Sequence, residues 1–291
     1  MNVPARLAAF AAVLGLAFGA ASLAGATIDP TDETAVGAGE HGGGATQPAG
    51  SEHASTGSSL SGLATSQDGF TLEADRTSFT GDGPKRFSFR IVDGRGRVVS
   101  DGYELESERE LHLVVVRRDT ASYEHVHPRK GQDGTWSVDL DLREPGVYRA
   151  FADFQIDGEK RALATDLFVP GNFQPTPWPQ PEPVNEVDGY SVKVASSQPL
   201  QAGQARTLSF SISRGGSPVE NLQPYLGARG HLVALREGDL GYLHVHPEDA
   251  DGGDAVSFEG TFPTAGRYRL FFQFKTGGEV RTVAYTVDVP R

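Results

Sequence analysis

The chain contains no cysteine, which excludes disulfides, thiolate metal sites, a catalytic thiol and a lipid-modified cysteine at an export boundary. Methionine is absent after Met1, so a thioether site of the kind that favours Cu(I) is excluded as well. Any metal must be held by nitrogen and oxygen. Positive charge is scarce: 26 Lys and Arg stand against 38 Asp and Glu, a formal net charge of -12. That balance argues against a nucleic-acid partner, because phosphate binding needs clustered cations that displace counterions. No Gly-x-Ser-x-Gly elbow, phosphate loop or zinc-protease helix motif occurs, and no long helical period follows the first residues. A catalytic role is not expected.

What the sequence does contain begins with an export signal. Arg6 supplies a short positive region, Leu7 to Leu23 is apolar and rich in alanine, and Ala24-Gly25-Ala26 fits a small-residue cleavage site. Residues 1–26 therefore read as a signal peptide or, since the run approaches the ~20 residues that span a bilayer, an uncleaved membrane anchor. The remainder is expected outside the cytoplasm, secreted or tethered, with membrane contact only through this segment. Residues 27–67 are dominated by Gly, Ser, Ala and Thr and read as a disordered tether in which His41 and His53 are solvated. Prolines 175, 177, 179, 181 and 183 mark residues 171–186 as a stiff linker between domains, because alternate prolines favour extended polyproline geometry.

The segments on either side of that linker, 68–170 and 187–291, repeat one another. His112, Tyr123, His125, His127 and Pro128 recur as His231, Tyr242, His244, His246 and Pro247. Gly146, Tyr148, Arg149, Phe151 and Phe154 recur as Gly266, Tyr268, Arg269, Phe271 and Phe274. Order and spacing are kept through both sets, which marks a tandem duplication. Within each copy, short alternating runs such as Phe87 to Val92, Trp136 to Leu140, Tyr148 to Ile156 and Ala162 to Val169 are divided by turn signals. About seven such strands in ~100 residues predict an all-β chain of two tandem immunoglobulin-like sandwiches.

Six of the eight histidines fall in the repeated cluster. Leu111 to Arg118 and Tyr123 to His127 read as two antiparallel strands, and Arg236 to Gly241 as the turn of the second copy. If Arg236 and Gly241 close a four-residue loop, His231 lies opposite His246, and His244 shares their face by the two-residue strand period. The duplication puts His112 opposite His127 in the same way, with His125 beside them. Neighbours on one face are within reach of a common ion, so His112, His125, His127 and His231, His244, His246 are the candidate ligands. Neutral imidazoles with an open position suit Zn(II) or Cu(II). Pro128 and Pro247 end these strands, and Tyr123 and Tyr242 share the histidine face, either as hydrogen-bond donors behind the ligands or, the favoured reading, as core filler. Val114, Val116, Val233 and Leu235 lie there too, so part of that face is buried.

At Gly230-His231-Leu232-Val233 and His244-Val245-His246-Pro247 the chain resembles actinobacterial exported proteins that carry these two motifs. More distantly it is similar to YtkA-like and CopC-like β-sandwich domains. That resemblance implies extracytoplasmic copper handling, with the metal ion as ligand and an envelope metal-handling protein as partner. Two departures stand out: the methionines common in copper chaperones are missing, and the first copy has Glu110-Leu111 where the second has Gly230 before its histidine. The expected function is non-catalytic buffering or delivery of Cu(II) or Zn(II), one site per repeat. The alternatives are an extracellular interaction module with structural histidines and, more remotely, a double-cupin-like metal enzyme. The cupin pattern needs a later histidine in each copy, and none follows His127 before His231 or comes after His246.

Overall fold

A computed structural model describes residues 60–81, 83–247 and 255–291. The expected signal or anchor, most of the expected tether, and His41 and His53 lie outside the described residues. Among the described residues the chain is all β, and no helix is long and apolar enough to cross a membrane. The first repeat holds β1 (Ser66–Gln67), β2 (Phe70–Ala74), β3 (Lys85–Asp93), β4 (Tyr103–Glu104), β5 (Leu111–Arg117), β6 (Tyr123–Val126), β7 (Arg129–Lys130), β8 (Trp136–Leu140), β9 (Gly146–Ile156) and β10 (Glu159–Val169). The second holds β11 (Val184–Val187), β12 (Tyr190–Ser196), β13 (Ala205–Arg214), β14 (Ser217–Pro218), β15 (Gly230–Arg236), β16 (Tyr242–Pro247), β17 (Ala255–Thr261), β18 (Gly266–Thr276) and β19 (Glu279–Val289).

In the first repeat the strands form two sheets, β1-β2-β3-β8-β7 and β10-β9-β5-β6, with β4 also on β9. Their inward faces enclose a core that includes Phe87, Phe89, Trp136, Tyr148 and Phe154. The second repeat builds the same layers, but β16 pairs with β15 and then with β17, joining its strands into one nine-stranded sheet of order β11-β12-β13-β17-β16-β15-β18-β19 with β14 also on β13. Phe210, Phe258, Phe272 and Tyr285 fill that core. Each repeat fixes a corner by the same bond: Tyr148 donates to the Glu144 carbonyl and Tyr268 to the Thr264 carbonyl, both at 2.9 Å. A hydroxyl reaching a backbone acceptor a few residues upstream is a recurring device of immunoglobulin-like sandwiches.

A third apolar cluster lies between the repeats. Along β5, Leu111, Leu113 and Val115 point into the repeat's own core, while Val114 and Val116 point away from it. Val233 and Leu235 of β15 do the same, and the two outward faces pack on each other together with Phe151, Leu240, Tyr242 and Phe271. Every residue of β5 is buried, which explains a continuous apolar run where a sheet with one wet face would alternate. The ring contacts exchange between copies. Tyr123 stacks on Phe271 with centroids 3.9 Å apart, and Phe151 stacks on Tyr242 at 5.1 Å. Because Tyr123 corresponds to Tyr242 and Phe151 to Phe271, the repeats meet through one self-complementary patch, as the halves of a two-fold dimer do.

Two segments expected to be passive are part of this packing. Leu60 to Gln67, the end of the expected tether, docks on both repeats. Ser61 exchanges two backbone hydrogen bonds of 3.0 Å with Tyr242, and the Gly62 amide donates to the Ala162 carbonyl at 2.9 Å. Gly62 has φ +67°, and a Cβ there would stand 2.4 Å from Phe151 Cδ1, so the small residues that suggested flexibility are what the cleft admits. The proline-rich run has no strand before Val184, as expected of alternate prolines, but it does not hold the repeats apart. The Thr176 amide donates to Asp119 Oδ2 at 2.9 Å, and Trp178 packs against the inter-repeat cluster.

Phe151 is fully buried in that cluster. Phe151→Ala is expected to cost about 3–5 kcal/mol in urea unfolding, since it leaves a cavity as well as losing transfer energy. Phe168→Ala, on the same sheet but at a side chain 46% exposed, should change stability by less than about 0.5 kcal/mol.

Candidate metal centre

Both hairpins have the expected register. Leu113 pairs with Val126 and Val114 with His125; Leu232 pairs with Val245 and Val233 with His244. The Arg236 to Gly241 turn closes through the Arg236 amide donating to the Gly241 carbonyl at 3.0 Å. The two-residue alternation then aims His112 to the same side as Val114 and Val116, away from the repeat's own core and toward the other repeat. His246 continues past β15 and pairs by its backbone with Glu259 of β17.

In the first repeat the three imidazoles converge. His112 Nδ1 lies 3.1 Å from His125 Nε2 and 3.2 Å from His127 Nε2. The three ligand nitrogens fall within 4.8 Å of one another. Ring centroids are 5.2 Å apart for His112 and His125, 5.0 Å for His112 and His127, and 5.0 Å for His125 and His127. Imidazoles on a tetrahedral ion with metal–nitrogen bonds near 2.0–2.1 Å place their centroids about 5 Å apart, so this triangle has the size such an ion requires.

The outer ring nitrogens of His112 and His125 are occupied. His112 Nε2 donates to the Glu106 carbonyl at 2.9 Å, and His125 Nδ1 donates to Gln273 Oε1 at 2.7 Å. Gln273 is held in turn, its Nε2 donating to Thr282 Oγ1 at 3.0 Å. A carbonyl can only accept, so the protons sit on the outer nitrogens and the lone pairs of His112 Nδ1 and His125 Nε2 face inward. The local chain explains the first of these bonds. Glu106 and Arg109 close a two-residue turn through reciprocal 2.9 Å bonds, with Ser107 and Glu108 both at positive φ, 45° and 64°. That turn leaves the Glu106 carbonyl over the His112 ring. Strain of this kind in non-glycine residues persists only where surrounding contacts enforce it.

Burial acts on protonation in the same direction. It is the largest influence holding His125 well below the ordinary imidazole range, followed by the neighbouring His112 and His127 rings, against the opposing bond to Gln273. His127 is lowered to about 3, again by burial first, then by His112 and Arg109. Both rings are neutral at neutral pH, the form that ligates metal.

His231 repeats the arrangement of His112. Its Nε2 donates to the Tyr225 carbonyl at 3.2 Å, and Tyr225 and Ala228 bracket the equivalent two-residue turn. His231 is 1% exposed, and its ring centroid lies 6.3 Å from that of His112 and 6.0 Å from that of His125. Gly230, the departure between the copies, is required here: a Cβ would come within 2.7 Å of Phe272 Cε2 and 2.8 Å of the Gln273 carbonyl oxygen. Tyr123 and Tyr242 prove to be packing residues, as expected, although Tyr242 also donates to Asp153 Oδ2 at 2.9 Å.

Sequence reasoning missed Glu106, Tyr225 and Gln273. The first two act through backbone carbonyls, and their only signal is a common six-residue lead before His112 and His231. Gln273 had a signal: it and Asp153 are equivalent polar positions inside apolar strands, Ala-Phe-Ala-Asp-Phe and Leu-Phe-Phe-Gln-Phe.

The family described as Domain of unknown function (DUF8832) matches residues 64–171 and again 185–291. The chain belongs to this family. Its two DUF8832 domains are the two repeats, which carry the duplicated histidine hairpin. No curated protein matches the chain. Among solved structures it is similar to FdeC, an Escherichia coli adhesin, at 14% identity and a TM-score of 0.27, over 78% of this chain and 65% of that one. It is also similar to native E. coli alpha-2-macroglobulin, at 12% identity and a TM-score of 0.26, over 79% of this chain and 15% of that one. The chain thus spans less than two thirds of either protein's length.

Acid should unfold the protein through these rings. Their folded pKa values lie below the unfolded imidazole value of 6.5, so the stability they contribute is fully present above 6.5 and is lost as pH falls toward about 3. Urea midpoints followed from pH 7 to pH 4 should fall, and they should fall less steeply in the His125→Gln, His127→Gln double variant. An equal slope in both proteins would contradict the assignment.

Proposed function

We propose that the protein binds Cu(II) or Zn(II) outside the cytoplasm and buffers or delivers the ion without turning over a substrate. His112, His125 and His127 supply one set of ligands. The duplication assigns the same task to His231, His244 and His246. The observation that carries this reading is the convergence of three ring nitrogens within 4.8 Å with the outer nitrogens of His112 and His125 already bonded to acceptors. Such preset tautomers lower the cost of binding, because the rings need neither turn nor lose a proton. Nitrogen donors without a carboxylate or a sulfur select these two metals over Mg(II), Ca(II) and Cu(I). The export signal read in residues 1–26 and the likeness to YtkA-like and CopC-like domains favour an envelope location, copper, and a metal-handling partner protein there.

A second reading has its own observation. His112, His125 and His231 lie at the joint between the repeats, where the bond from His125 to Gln273 crosses from one repeat to the other without any ion, and His112 and His231 are each bonded to a carbonyl of their own repeat. On this reading the chain is an extracellular interaction module with structural histidines.

Native mass spectrometry of the full chain with added Cu(II) or Zn(II) separates the two. The metal reading expects tightly bound ions on the wild type and loss of them when His125, His127, His244 and His246 are all changed to Ala. Equal, weak uptake by both proteins would leave the structural reading standing.

A further inference from the structure

His112 and His231 belong to opposite repeats, yet they meet at one place. His112 and His231 occupy equivalent positions on β5 and β15, and both project from the outward faces that pack together. Each is anchored in the same way, Nε2 donating to the carbonyl six residues earlier, which leaves the lone pair on Nδ1. Their rings are 6.3 Å apart. The first set also borrows from the other repeat, since Gln273 of β18 holds His125 at 2.7 Å.

From this geometry we propose that the two sites form a single paired metal centre across the joint between the repeats, rather than two separate sites. The proposal rests on the metal-binding reading above and deepens it. An ion stands about 3 Å from the centroid of a ring that ligates it, so ions held by His112 and by His231 are at most about 12 Å apart. Asp153, 4% exposed and contributed by β9, puts a carboxylate into the same joint, where it accepts from Tyr242. Two dications this close repel strongly in a poorly solvated interface, and a buried anion there offsets part of that repulsion. Because Gln273 of the second repeat holds His125 of the first set, loading the centre also fixes the repeats in their packed arrangement.

Electron paramagnetic resonance of the full chain loaded with Cu(II) tests the pairing. With two equivalents of copper the lines should show dipolar broadening. They should sharpen when one equivalent of Cu(II) is combined with one of Zn(II), which separates the spins without altering the chain. His231→Ala should bind one copper with sharp lines, and circular dichroism would confirm that it remains folded. Two coppers with lines as sharp as in the mixed sample would overturn the pairing while leaving metal binding intact, and so would a single copper per chain. Copper uptake no greater than that of the fourfold alanine variant would remove the metal reading itself, and the pairing with it.

Discussion

The packing of one repeat's sheet against the other's is the constraint on which the remaining features depend. It buries the second face of β5 and β15, so the outward residues of these strands must be apolar or hydrogen-bonded. Val114, Val116, Val233 and Leu235 meet the first condition. His112 and His231 are hydrogen-bonded through Nε2, and Gln273 of β18 and Asp153 of β9, on the adjacent strands, are bonded as well. The histidines are therefore ordered by the joint between repeats, not by the core of either sandwich. Their neutrality has the same origin, because burial is the leading cause of the lowered pKa at both His125 and His127.

Much of this was legible in the sequence because it depends on local periodicity. Hairpin register follows from a four-residue loop and a period of two, and the duplication exposes itself through spacing. The all-β class and the pairing of Val114 with His125 and of Val233 with His244 come from these rules alone. The joint between repeats was not legible, since it depends on which outward faces meet. The run Leu111 to Val116 did carry the sign of burial on both sides, but a run of that length says nothing of the partner. Leu60 to Gln67 was misread for a related reason. Composition records that small residues bury little surface, and it cannot record that Gly62 fits beneath Phe151 where any side chain would collide.

Preorganisation of the first histidine set is built from backbone as much as from side chains. The strained pair Ser107 and Glu108 turns the chain so that the Glu106 carbonyl faces His112, and Leu226 with Gly227 does the equivalent before His231. A carbonyl is a fixed acceptor that cannot rotate away or ionise, so it sets a tautomer more firmly than a serine or a carboxylate would. The inward nitrogen of His112 is accordingly decided by main-chain geometry. Substitutions in the turn would therefore act on the imidazole without touching it.

The duplication has not left two equal halves. Gln273 pairs along the sheet with Thr282, whose hydroxyl takes its amide nitrogen and leaves its oxygen for His125. The equivalent Asp153 pairs with Ala162, which has no such hydroxyl, and accepts instead from Tyr242 of the other repeat. Tyr123, the counterpart of Tyr242, has no hydrogen-bond partner for its hydroxyl among the described residues. One side of the joint is thus supported by a neutral amide and the other by an anion. Where an imidazole ligates a metal, the group behind it tunes its basicity, and a carboxylate makes a stronger donor of it than an amide does. Gln273 stands behind the His125 ring as a neutral amide, so it fixes the tautomer of that ligand while raising its basicity less than a carboxylate in the same place would.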